Sequence, residues 1–65
     1  MKSLSEYFQK NVRLTDIDGK QWSGHVETWT PAIDSEDGVE EIGLMVPGQG
    51  LIGFRRTEIQ SITAG

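Results

Sequence analysis

The chain has 65 residues, ten Asp and Glu against six Lys and Arg, and a formal net charge of −4, with no cysteine. That length bounds it to one domain, residues 1–65, and the missing cysteines exclude disulfide staples and Cys-based zinc sites. The negative charge counts against a whole-molecule polyanion binder, because phosphate affinity rests on cationic contacts, but it leaves room for a local basic site.

The opening stretch MKSLSEYFQK reads as a short helix over about residues 3–10. Ser3 and Glu6 have the spacing of a capping box, and Leu4, Tyr7 and Phe8 form an apolar stripe at i, i+3, i+4. Two turns are marginal alone in water, so this helix must lie against a sheet. The same stretch lacks the apolar core of a secretory leader. No apolar run approaches the roughly 20 residues of a membrane-spanning helix. A cytoplasmic location is the resulting expectation.

Residues 12–17 alternate, with Val12 and Leu14 expected inward. Asp18-Gly19 then predicts a type I′ hairpin, in which both central residues take positive φ. A second strand over 20–30 places Trp22, Gly24, Val26 and Thr28 on one face. Gly24 marks a bend or a close backbone approach. Trp22 and Trp29 lie seven apart, so a regular strand puts them on opposite faces. Trp22 then belongs to the core, and Trp29 is the exposed aromatic at a rim or interface. A bulge at Gly24 would change that assignment.

Residues 31–41 form a polar connection, and five of the eight residues from Asp34 to Glu41 are acidic. A third strand over 41–46 alternates Ile42, Leu44 and Val46. Pro47-Gly48-Gln49-Gly50 is a turn. Leu51–Phe54 and Ile59–Thr63 are the fourth and fifth strands, joined by the short basic corner Arg55-Arg56-Thr57-Glu58. Every connection is of the antiparallel kind. The expected fold is mainly β: a short N-terminal α-helix, then five strongly bent antiparallel strands in a partly open barrel.

Several residue types carry no chemistry at this spacing. His25 has no catalytic or metal-binding partner pattern. The acidic segment does not fit an EF-hand loop and reads as solvated. No serine sits in a nucleophile elbow, and no phosphate-binding glycine pattern occurs. The expectation is a protein that is not an enzyme, with no cofactor and no metal.

The pattern resembles the Sm-like family, in its bacterial Hfq-type form. Val12-Arg13-Leu14, Asp18-Gly19, Trp22, Gly24 and Val26 are similar to the first Sm motif. Leu51-Ile52-Gly53-Phe54-Arg55-Arg56-Thr57-Glu58-Ile59-Gln60-Ser61-Ile62 is similar to the second. The match covers residues 3–63. The resemblance implies an SH3-like, Sm-like barrel that forms a homo-oligomeric ring by pairing strand four of one subunit with strand five of the next. Leu51, Ile52, Phe54, Ile59 and Ile62 are then the interface candidates. It also implies RNA binding at the strand 4–5 corner, with Arg55, Arg56, Trp29 and Asp34 as candidates. The loop 30–41 departs from the family pattern, being long and acidic. The other function class consistent with the residues is a protein-interaction or assembly module without nucleic acid.

Overall fold

The computed structural model describes residues 3–65, so Met1 and Lys2 of the expected 1–65 domain lie outside the described residues. Five strands make one antiparallel sheet: β1 (Asn11–Asp16), β2 (Gln21–Thr30), β3 (Glu41–Val46), β4 (Gly50–Arg55) and β5 (Ile59–Ala64). Their order is β4-β3-β2-β1-β5. The sheet is not closed, and β4 and β5 are its two edges.

The N-terminal α-helix does not form. Leu4–Tyr7 is a single 3-10 turn, with the Ser3 hydroxyl accepting the Ser5 N–H at 3.3 Å. The physical reason is competition from the sheet. Gln9 N–H donates to the Val26 carbonyl at 2.9 Å, and Val26 N–H donates to the Lys10 carbonyl at 3.0 Å. Gln9 takes a φ of 61° to make that turn, which no helix accommodates. Leu4 is nevertheless fully buried, and Tyr7 packs against the core with its hydroxyl donating to the Ile62 carbonyl at 3.4 Å. Phe8 is left exposed.

The first hairpin is also not type I′. Gly19 N–H donates to the Asp16 carbonyl at 3.0 Å, and Asp16 N–H donates to the Lys20 carbonyl at 2.9 Å. Gly19 alone has positive φ in this turn, at 84°. This is the three-residue loop ending in a glycine bulge. The Asp16 carboxylate organises it, accepting the Asp18 and Lys20 N–H groups at 2.9 Å each. At the next hairpin, Pro47-Gly48 occupies the central positions of a turn closed by Gln49 N–H to the Val46 carbonyl at 3.0 Å. Gly48 has φ 82°, the arrangement of a type II turn.

The core is one cluster: Leu4, Val12, Leu14, Val26, Ile42, Leu44, Val46, Phe54, Ile59 and Ile62. Period-2 alternation supplies most of it, as in the buried–exposed pattern of β1. Where β2 meets β3, the register slips between Val26 and Thr28. The bulge therefore lies at Glu27, not at Gly24. After it, Trp29 stands opposite Ile42, on the buried face. Trp22 and Trp29 thus both pack against the core, which corrects the expectation that they face opposite sides. Trp22 meets Phe54 edge-on at 5.5 Å between ring centroids. Gly24 serves the close approach expected of it: a Cβ there would run into the Met45 carbonyl.

Candidate functional site

The β4–β5 corner is a 3-10 turn, Arg56–Glu58. Glu58 fixes its start by accepting the Arg55 N–H at 2.9 Å. This geometry sends the two arginines towards the acidic connection between β2 and β3. Arg55 Nη1 lies 3.1 Å from Asp37 Oδ2. Arg56 Nη1 lies 2.7 Å from Glu40 Oε1, and Arg56 N–H donates to the Glu40 carbonyl at 2.8 Å.

Glu40 is the centre of this region. Its Oε2 accepts from Ser3 Oγ at 2.8 Å, Leu4 N–H at 3.2 Å and Trp29 Nε1 at 3.0 Å. Only 13% of its side chain is exposed. Burial pushes its carboxyl up, but hydrogen bonds from Trp29, Ser3 and Arg56 outweigh that and hold it below the usual range. One carboxylate therefore ties together the N-terminal turn, the end of β2 and the β4–β5 corner. A partly buried charge so paired and hydrogen-bonded avoids much of the desolvation cost of an isolated one.

The second ion pair is more open, with 57% of the Arg55 side chain exposed. The Ser35 hydroxyl, 2.6 Å from Asp37 Oδ1, is the main reason the Asp37 carboxyl titrates low, and the Arg55 charge adds to it. Asp34 sits in the 3-10 turn Ala32–Asp34 and is exposed. It lines a cleft of about 280 Å³ with Thr30, Glu36, Asp37, Glu41 and Arg55.

The structure thus gathers the four candidate RNA contacts into two pairs. Trp29 and Arg56 meet at Glu40, and Asp34 and Arg55 share the acidic cleft. Trp29 is partly buried against the core, with its indole N–H satisfied by Glu40. Glu40 was not legible as a candidate. A signal existed in the need of a buried Trp29 for an acceptor, but the bulge that buries it was not readable.

The interface candidates divide. Phe54, Ile59 and Ile62 are buried in the chain's own core. In an interface built by pairing strand four with strand five, these three residues take part through their backbone. Ile52 is partly buried, and Leu51 is 53% exposed beside its cross-strand partner Met45, 40% exposed. What β4 and β5 offer at the edges is backbone, with Leu51 as the apolar side chain.

Elsewhere, Trp22 Nε1 donates to Asp16 Oδ2 at 3.0 Å, and Lys20 Nζ lies 4.3 Å from the Trp22 ring centre. The indole hydrogen bond is the largest cause of the lowered Asp16 pKa. His25 Nδ1 lies 3.2 Å from Glu27 Oε1, a surface pair. Among the described residues, no helix is long and apolar enough to cross a membrane. No group of three or more His, Asp or Glu side chains among them is arranged to hold a metal ion.

Compared with protein-family models, curated proteins and solved structures, the chain matches none.

Proposed function

We propose that the chain is a small, non-catalytic assembly module on an SH3-like, Sm-type barrel, and that its open sheet edges pair with further copies of itself. The observation that carries this is the strand order β4-β3-β2-β1-β5, which leaves β4 and β5 as unpaired edges. Each is six residues long, and neither contains proline or lysine. Proline, lysine and inward-pointing charge are the common devices that block edge pairing. Exposed Leu51 on β4 adds apolar contact. Pairing β4 of one copy with β5 of the next is head-to-tail, so it closes into a ring if the rotation allows. The test is light scattering over a concentration series, with Leu51→Lys placing a charge on the edge. A mass above one chain, reduced by Leu51→Lys, supports the reading. A monomer at high micromolar concentration overturns it.

The second reading is RNA binding at the corner. Its support is the adjacency of Arg55 and Arg56, because paired guanidiniums fork onto phosphates. The ion pairs to Asp37 and Glu40 weigh against it, since each carboxylate offsets the charge of the arginine it holds. Salt-sensitive binding of short uridine- or adenine-rich RNA, lost in an Arg55→Ala, Arg56→Ala double variant, would support it. No binding at low salt removes it.

A further inference from the structure

We propose that Arg13 is the centre of an oxyanion site on the outer face of β1, β2 and β5, and that its ligand class is a phosphate monoester. The sheet register builds it. Arg13 stands directly opposite Ser23 on β2 and directly opposite Thr63 on β5. All three side chains therefore share one face, side by side, about 4.7–4.9 Å apart between strands. They line a cleft of about 460 Å³, with Asn11, Val12 and Pro47 among its other walls.

Arg13 differs from the other two arginines. Arg55 and Arg56 are ion-paired to Asp37 and Glu40. Among the described residues, Arg13 has no carboxylate within ion-pair distance. Its neighbourhood explains why. The outward positions paired across these strands are Gln21, Ser23, His25, Asn11, Arg13, Thr15, Ser61 and Thr63. None is an acid. The ten acids sit in the N-terminal turn, at strand ends, in turns and loops, and at the β2 bulge, where Glu27 pairs with His25. An anion can thus approach this face although the molecule as a whole carries −4, because charges beyond about 8–10 Å are screened.

The donor set selects the ligand. A guanidinium fork meets two oxygens in parallel. A hydroxyl on either side, Ser23 and Thr63, can donate to a third. A carboxylate has two oxygens, and a phosphate monoester has three terminal ones. The cleft volume exceeds what a bare phosphate fills and falls within the range of small-molecule sites, roughly 300–1,000 Å³. Val12 and Pro47 supply apolar wall for an ester body.

The test is a two-dimensional amide NMR titration at low salt with four probes: inorganic phosphate, glycerol 3-phosphate, adenosine 5′-monophosphate and acetate. The expected result is saturable shifts at Arg13, Ser23 and Thr63 with the phosphate probes, at least about tenfold weaker with acetate. Arg13→Gln is expected to weaken phosphate binding at least about tenfold. Thr63→Val should weaken it by a smaller factor, and Lys20→Gln, at the far turn, should leave it unchanged. Arg13 is exposed, so its variant keeps the core. Tighter binding of either ester than of inorganic phosphate identifies an organic phosphate as the ligand. Equal binding identifies free phosphate. No saturable shift up to about 10 mM, equal response to acetate, or binding undiminished in Arg13→Gln overturns the site.

Discussion

Trp29 Nε1 donates to Glu40 Oε2 at 3.0 Å, closing an eleven-residue separation. The indole belongs to β2 and the carboxylate to the end of the acidic connection, so one bond fixes how that connection returns to β3. The same carboxylate holds Ser3 and Arg56. The acidic segment is therefore fastened at Glu40, while Glu36 remains at the surface.

Removing this anchor has a measurable cost. Glu40→Ala removes the acceptor of the Trp29 indole N–H and the carboxylate that Arg56 pairs with. Hydrogen bonds to charged groups contribute about 1.5–3 kcal/mol. A loss of about 2 kcal/mol is expected in a urea or thermal melt. A melt unchanged in Glu40→Ala would show that the anchor adds no stability.

Stability should fall with acid. Asp16, Asp37 and Glu40 all have carboxyl pKa values held below their ordinary 3.8, 3.8 and 4.5. A depressed folded pKa means the unfolded chain binds the proton more readily. The contribution is fully present above the ordinary value and is lost as pH falls through the folded one. The melting temperature should be level from neutral pH to about 5 and decline below about 4.5. A melting temperature that rises on acidification through that window would contradict this assignment.

Two glycines are predicted to resist substitution for different reasons. Gly19→Ala forces a side chain onto a φ of 84° with nothing crowding it. Its cost should be about 1 kcal/mol, that of the left-handed conformation. Gly24→Ala puts a Cβ into the Met45 carbonyl, so β2 and β3 must separate. Overpacking of this kind costs about 1–3 kcal/mol. Chemical denaturation of both variants separates the two mechanisms: Gly24→Ala should be the worse.

Apolar patterning made β1, β3, β4 and β5 legible within a residue of each end, most cleanly in β1, which alternates buried and open positions; β3 also buries Gly43, and β5 buries Ile59 and Ile62 three apart across a register shift. The two tight turns were placed by their glycines. What the residues could not reveal depends on pairing between distant segments. Ser3-x-x-Glu6 with an apolar stripe looks helical, but Val26 captures the backbone of residues 9–10. Trp29 looks outward by counting, but a bulge at Glu27 reverses its face. That the corner arginines pair with Asp37 and Glu40 in particular was not legible, because sequence distance hides those partners from them. Phe54, Ile59 and Ile62 belong to the core because an edge strand still buries its inward side chains.

Pairing of β4 and β5 between copies is read out by concentration-dependent amide hydrogen exchange. Amides in 50–55 and 59–64 should gain protection as protein concentration rises, while those of β1, β2 and β3 do not change. Exchange independent of concentration across both edge strands would contradict it.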